Sequence, residues 1–524
     1  MTKPLPRRYP IGMQTFSELI ERNCVYIDKT DLVYRLTHDF GKYCFLSRPR
    51  RFGKSLLVST LEAYFEGRKE LFKGLAMEQL ETEWEVYPVL RLDLSRSRYT
   101  SVEELSSVLK DHLCHWEELY GASKEGQTFS SRFAGVIERA YKQTGKKVVV
   151  LVDEYDSALL DSNNLPELQE QLRNMIRAFY SPLKNADPYL QFVFLTGITK
   201  FSQTSIFSEL NNLNNLSMHA QFETLCGISQ AELDSQLAVD VRLLAEAMQK
   251  SEEEVKGLLK KRYDGYHFSK GMTDIYNPFS LLTAFTNKEL SDYWFSTGTP
   301  TFLVQLLKKE SLDITQLEGI TASASDFDRS TEIITNVIPV LYQSGYLTTK
   351  EYDPFLDTYT LGYPNQEVRI GFLRCLVPDY VEVDTVNGSF LVINFIKDLI
   401  SHNLEQCMLR LQTFFADIPY TLHNKKEKHY QTALYILFKL MGQYVEAEVA
   451  TPIGCIDAVL QFQNAIYLFE FKVDKSAQEA LDQINSKQYT LKYSMDSRPV
   501  YKIGVNFSTD TRTISEWIIE PAAQ

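Results

Sequence analysis

The chain has 524 residues, 44% hydrophobic and 23% charged, with 31 Phe and 30 Tyr; this is core material for two or three domains and excludes a mainly disordered polypeptide. The net charge of −13 opposes non-specific wrapping of nucleic acid, which rests on phosphate neutralisation by Lys and Arg, although segment 424–524 is nearly neutral, with 11 Lys plus Arg against 12 Asp plus Glu. Apolar runs such as Val148 to Val152 fall far short of the roughly 18 residues of a bilayer span, and prolines at 4, 6 and 10 leave no apolar signal core near Lys3, Arg7 and Arg8, so a cytoplasmic chain without a membrane segment is expected.

From residue 42 onward, short β-rich runs alternate with helical stretches: Tyr43 to Leu46 precedes a helix from Lys54 to Phe65, and Val89 to Leu92 precedes one from Ser101 to Leu119. Val148 to Val152 and Gln191 to Leu195 add further strands. Continuous apolar strands separated by helices imply a parallel sheet covered on both faces, hence an α/β first domain over 1–223. A helical middle or lid region over 224–380 follows, with charged helical sequence such as Gln230 to Lys261 and no apolar strand. The last segment, 381–524, has a core at about 425–520: a helix from Lys428 to Leu440, strands at Val445 to Ala450, Ile456 to Phe462 and Ala465 to Val473, a helix around Gln478 to Tyr489, and strands at Val500 to Asn506 and Thr513 to Ile519. Seven cysteines are scattered singly, without a CxxC pair, and read as reduced thiols. His112, Cys114 and His115 splay apart on one helix and do not make a zinc site.

The first strand runs into Ser47-Arg48-Pro49-Arg50-Arg51-Phe52-Gly53-Lys54-Ser55 and then a helix. In a P-loop, backbone N–H groups and the helix N-terminus hold phosphates, the Lys reaches the β- and γ-phosphates and the hydroxyl meets Mg²⁺; Gly53, Lys54 and Ser55 fit those roles. The generic pattern wants Gly where Arg48 stands, and taken alone the run reads nearly as well as a basic loop on a solvated face. A second half follows roughly 95 residues on, where an apolar strand ends Asp153-Glu154-Tyr155-Asp156. Such a strand delivers Asp153 to Mg²⁺ and Glu154 to an attacking water. A third strand ends Leu195-Thr196-Gly197-Ile198-Thr199-Lys200, where Thr199 is placed to sense a γ-phosphate, though a turn explains that run nearly as well.

These runs, together with Tyr26-Ile27-Asp28-Lys29-Thr30 and Ile206-Phe207-Ser208-Glu209-Leu210-Asn211, resemble the bacterial AAA-ATPase-like family over roughly residues 5–220. In that family an arginine-rich loop replaces the usual first glycine. The resemblance implies ATP held by Arg48, Pro49, Arg50, Arg51, Phe52, Gly53, Lys54, Ser55, Asp153 and Thr199, with Mg²⁺ at Ser55 and Asp153. The family typically continues through Tyr-x-Gly-Tyr and Asn-Pro-Phe elements, seen here as Tyr263-Asp264-Gly265-Tyr266 and Asn277-Pro278-Phe279, and commonly ends in a nuclease-like domain.

Independently, Asp457 lies on one short strand and Glu470-Phe471-Lys472 ends the next. Side chains alternate along a strand, so Glu470 and Lys472 share a face and a paired strand can bring Asp457 beside them. Two carboxylates there hold Mg²⁺ or Mn²⁺, and Lys472 positions a water against a phosphodiester. The spacing resembles the PD-(D/E)XK nuclease superfamily, which implies a C-terminal α/β restriction-endonuclease-like fold and a helix carboxylate at the metal, best matched by Glu427, with Glu448 a further candidate. Gln483, Lys487 and Tyr489 match its following helix. Related chains read Gly-Arg-x-Asp where this one has Gly454-Cys455-Ile456-Asp457, which removes a cation near the metal or nucleic acid.

The combined expectation is an ATP-binding and ATP-hydrolysing AAA-like protein with a metal-dependent nuclease domain, in which Glu154, Asp457, Glu470 and Lys472 are catalytic and Ser55, Asp153, Asp457, Glu470 and Glu427 meet metal. Its partners are ATP and nucleic acid, without a membrane; self-association stays open. The alternative is a nucleotide-dependent switch whose nuclease-like domain binds nucleic acid or protein without cutting.

Overall fold

A computed structural model describes residues 8–522 except 125, 163–164, 200–212, 297–316, 328–336, 382–384, 417–436, 438–439, 441–445, 450–457 and 463. The Ile206 to Asn211 run, Lys200, Glu427, most of the expected helix from Lys428 to Leu440, and Gly454 to Asp457 lie outside the described residues. The chain divides into two compact units, one of Met1–Thr297 with Ile320–Asn365 and one of Gly298–Gly319 with Gln366–Gln524.

The first unit is built on a five-stranded sheet in the order β2-β3-β4-β1-β5, with β1 Tyr43–Ser47, β2 Val89–Asp93, β3 Val148–Asp153, β4 Leu190–Gly197 and β5 Asn214–Asn215. Every described pairing in it is parallel. β3 is buried at all six positions, as a β-branched run covered by helices on both faces requires. The helix Lys54–Phe65 is buried around most of its circumference, whereas Val102–Tyr120, capped by Ser101, and Phe129–Thr144, capped by Thr128, each bury one stripe against the sheet. Because the strands run one way, the carboxyl ends of β1, β2, β3 and β4 meet at one edge, where open parallel sheets place their ligands.

Beyond the sheet, Gln230–Gln236, Ala238–Met248 and Glu252–Tyr263 supply the expected helices. Capping boxes at Ser229/Glu232 and Ser251/Glu254 start the first and third. Their apolar faces join Leu281 and Phe285 of the helix Pro278–Asn287 in one core. A short ladder pairs β6 Ile228–Ser229 with β7 Ile275–Tyr276. The helical reading of this region needs one correction: β8 Ile320–Ser323, β9 Thr348–Asp353 and β10 Thr358–Gly362 form an antiparallel sheet in the order β8-β10-β9. These strands escaped detection because they are short and rich in Thr, Ser, Glu and Asp, so no apolar run marks them.

Asp264, in the Tyr263-Asp264-Gly265-Tyr266 element, is 1% exposed and neither carboxylate oxygen has a side-chain donor among the described residues. Burial first, and Asp274 nearby, push its pKa from 3.8 up to about 7 against the pull of the Gly265 N–H, Lys260 and Lys350. The folded form therefore binds the proton more tightly than the unfolded chain. Its contribution to stability is full in acid, declines as the pH rises between about 4 and 7, and is flat above. Asp264→Asn removes that dependence, so urea melts should show a parent-minus-variant difference that changes across this window. A difference independent of pH would show that Asp264 titrates normally.

The second unit carries helices Gln366–Val381, Thr385–Ile400 and Leu404–Ala416, then a sheet in the order β11-β12-β13-β14-β15: Glu446–Val449, Ala458–Gln461, Ile466–Val473, Val500–Ser508 and Thr513–Pro521. Only β13 and β14 run parallel, because the helix Ala477–Ser486 crosses between them. Gly504, opposite Glu470 in the register, lets that helix approach: a Cβ there would sit 2.4 Å from the Ala477 carbonyl oxygen. Among the described residues no helix is long and apolar enough to cross a membrane.

Candidate active sites

β1 hands the chain to a loop whose last residue, Gly53, has φ 87° and caps the helix Lys54–Phe65. This left-handed turn is cheap for Gly and aims the helix N-terminus back into the loop. The side chains expected to cradle phosphate split into two groups. Arg50, Arg51, Lys54 and Ser55 line a cavity of about 690 Å³ at the carboxyl edge of the sheet. The side chains of Arg48, Pro49 and Phe52 are not among those lining this cavity and instead anchor the loop. Arg48 is 1% exposed; its guanidinium donates to the carbonyl oxygens of Ser47 at 3.0 Å, Ser217 at 2.8 Å and Phe222 at 3.2 Å, and lies 4.1 Å from the Phe268 ring centroid. Pro49 joins it beside Ser217 and Tyr266. Phe52 is buried edge-on to Tyr266 and Phe268, with centroids 4.8 and 5.4 Å away, and Trp294 Nε1 donates to the Arg50 carbonyl at 3.0 Å. The Tyr-x-Gly-Tyr element thus holds the loop, and Phe279 of the Asn-Pro-Phe element lies 4.8 Å under the Arg51 guanidinium.

Lys54 is 5% exposed, and its Nζ donates to the carbonyls of Arg48 at 3.0 Å and Pro49 at 3.2 Å, inside the loop's own arc. Asp153, at the end of β3, is 2% exposed near Ser55, and its Oδ1 is buried without a hydrogen-bond partner. Burial above all, with Glu154 adding, pushes its pKa up to about 6 against Ser55 and Lys54. An orphaned buried carboxylate oxygen beside a hydroxyl is a fit for a hard cation, which would replace the missing donor and restore the ionised form. Glu154 has φ 49° and lines the cavity, taking a hydrogen bond from Ser157 Oγ at 3.1 Å.

Thr199 sits beyond β4, but its hydroxyl and N–H both donate to Asp156 Oδ2 at 2.7 Å, and Ile198 N–H joins at 3.0 Å. Asp156 is buried, which raises its pKa despite those donors. It ties the ends of β3 and β4 together; the signal available was a second carboxylate three residues after Asp153. Sequence reasoning also missed Arg96 and Arg98, on the loop after β2, and residues 10–14, all of which line the cavity.

In the second unit, Glu470 is 1% exposed on β13, and Lys472 Nζ donates to its Oε1 at 2.9 Å and to Gln483 Oε1 at 2.6 Å. The two side chains share a face, as their spacing requires, and Phe469 and Phe471 stack on the other with centroids 6.1 Å apart. Of the three residues matched on the following helix, Gln483 reaches the site, Lys487 is exposed at its end, and Tyr489 packs beside Val459, Ile466 and Ile484. Glu448 lies on β11 opposite Val459. Among the described residues no three His, Cys, Asp or Glu side chains are grouped to hold a metal; Asp457 and Glu427 lie outside them.

A family model described as a predicted AAA-ATPase matches residues 10–207, and one for the PD-(D/E)XK nuclease superfamily matches 425–517. An uncharacterized protein from the 5′ region of vnfD in Azotobacter chroococcum mcd 1 is 33% identical over 537 residues, covering 98% of this chain and 99% of that one. Among solved structures, the Aeropyrum pernix ORC1 protein in complex with DNA is 11% identical, with 66% of this chain and 90% of that chain covered at a TM-score of 0.24. The ORC2 protein of the same organism, in ADPNP and ADP complexes, is 11% identical, with 70% and 92% covered at 0.16.

Proposed function

The chain belongs to the AAA-ATPase-like family and carries a PD-(D/E)XK nuclease superfamily domain, and from that premise we propose that it binds and hydrolyses ATP in the first unit and cleaves nucleic acid in the second. The observation that carries the ATP reading is the buried Asp153 carboxylate, its Oδ1 without a donor, at the end of the strand that leads into Glu154, which lines a cavity with Lys54 and Ser55. Mg²⁺, when bound, supplies charge neutralisation at the β- and γ-phosphates. Asp153 and Ser55 hold it, Lys54 leaves the loop carbonyls for phosphate, and Glu154 takes the proton of the attacking water. Ile11 and Met13 on one segment and Phe279 and Leu282 on another give the same cavity apolar walls suited to a base.

For the second unit, support comes from Lys472 bridging Glu470 and Gln483 in a nuclease-like sheet. Glu470, with Asp457 and Glu427 as sequence matches, holds Mg²⁺ or Mn²⁺, and Lys472 orients water against a phosphodiester. The absence of the usual arginine at Cys455 favours the second reading, a nucleotide-dependent switch that binds without cutting. Metal-dependent nicking of plasmid separates the two.

The direct test of the ATP site is titration of the full chain with ATP and Mg²⁺, beside Lys54→Ala. Lys54 is the one P-loop cation that follows the Gly53 turn onto phosphate, so its loss should weaken binding by about 2 kcal/mol or more, the scale of a charge-assisted hydrogen bond. Equal affinity in a folded Lys54→Ala protein removes the assignment.

A further inference from the structure

We propose that Arg96 and Arg98 are arginine fingers supplied within the same chain, so that one copy hydrolyses ATP without borrowing a cation from a neighbour. This rests on the reading of the cavity as an ATP site. β2 lies beside β3 with Asp93 opposite Asp153, so the loop leaving β2 emerges next to the proposed metal and water residues. That loop is pinned at both ends. Asp93 Oδ1 accepts from Ser95 N at 2.9 Å and Ser95 Oγ at 2.7 Å, and Tyr99, fully buried, donates its hydroxyl to the Leu94 carbonyl at 2.7 Å and its N–H to Asp161 Oδ2 at 3.0 Å.

Between the pins, Arg96 and Arg98 line the cavity with Lys54, Ser55 and Glu154. Their charges are scarcely committed. Among the described residues Arg96, 64% exposed, has Asp93 at 3.7 Å as its one ion-pair partner, and Arg98 forms no ion pair. Two exposed cations on a pinned loop that lines a site for a polyphosphate are placed to act on charge that develops there.

In the reaction, the water oxygen bonds to the γ-phosphorus while the bond from that phosphorus to the bridging oxygen breaks. The bond's electron pair leaves on ADP, and the proton passes to Glu154 and then to solvent, giving ADP, phosphate and a proton. Charge grows on the bridging and γ-oxygens, where a guanidinium fork stabilises the transition state more than bound ATP. Arginine fingers contribute roughly 10³ to 10⁵ in rate elsewhere.

The test uses the full chain, the Arg96→Ala/Arg98→Ala double variant and each single one; both side chains are exposed, so folding is expected to survive. The double variant should bind ATP within about fivefold of the parent but hydrolyse it about 100-fold or more slowly. It should also fail to form the tight complex with ADP and aluminium fluoride that the parent forms, while still binding ADP. Parent activity per molecule should not depend on protein concentration. Turnover and aluminium fluoride trapping unchanged in the double variant overturn the proposal, as does a loss confined to ATP affinity, or parent activity that appears only as copies associate. A parent that binds no ATP takes down the ATP site as well, whereas every other adverse result leaves that site standing and removes only the fingers.

Discussion

Glu154→Gln should bind ATP as the parent does and hydrolyse it at least tenfold more slowly. The residue follows the fully buried β3 strand at φ 49°, and its carboxylate lines the cavity within reach of Ser157. Gln keeps the size, the tolerance of that backbone and the ability to accept from Ser157, but it cannot take a proton. General bases contribute roughly 10² to 10⁴ in rate, so the loss should fall on turnover and leave affinity alone. A single-turnover measurement with ATP in excess of its dissociation constant isolates the step. Equal rates would make Glu154 a strand-end acid with no part in the chemistry. A parallel loss of affinity would mean that the substitution disturbs the end of β3 instead.

At the second site, Glu470→Ala and Lys472→Ala should each abolish most cleavage, by about 100-fold or more, and the double variant should lose little further, because a broken unit has nothing left to lose. Lys472 is held between Glu470 at 2.9 Å and Gln483 at 2.6 Å, so the carboxylate and the amine are placed as one arrangement. Asp457→Ala, at the matched sequence position, belongs to the same series. Chelation with EDTA should stop the reaction and Mn²⁺ restore it. Binding is the control: Lys472→Ala should still hold nucleic acid, since one phosphate contact is a small part of a groove. Because Glu470 is buried, Glu470→Gln, which preserves its volume, guards against a result that reflects only lost packing. Robust cleavage by either Glu470 variant, free of host nucleases, would leave the non-cutting switch as the better reading.

What could be read from the residues in order is what local periodicity encodes. The buried strand Val148–Asp153 announced itself as an unbroken apolar run from Val148 to Val152, and the acids after it had to emerge at the sheet edge. Gly53-Lys54-Ser55 fell at a strand-to-helix turn, and Glu470 and Lys472 had to share a face because strands alternate. The sheet of β8, β9 and β10 had no such signal, since six residues such as Thr348–Asp353 carry too little apolar patterning to declare a strand. Tertiary structure alone decided the rest. Arg48 looks like one more phosphate-binding cation until the carbonyls of Ser217 and Phe222, about 170 positions away, are seen to claim it. Phe52 finds Tyr266 and Phe268, Thr199 gives its hydroxyl to Asp156, and Arg96 and Arg98 enter the cavity because β2 pairs with β3 across more than fifty residues of chain. A side chain's own neighbours in sequence set its strand or helix face, but the partner that satisfies its charge or fills its contact surface is chosen by how distant segments pack.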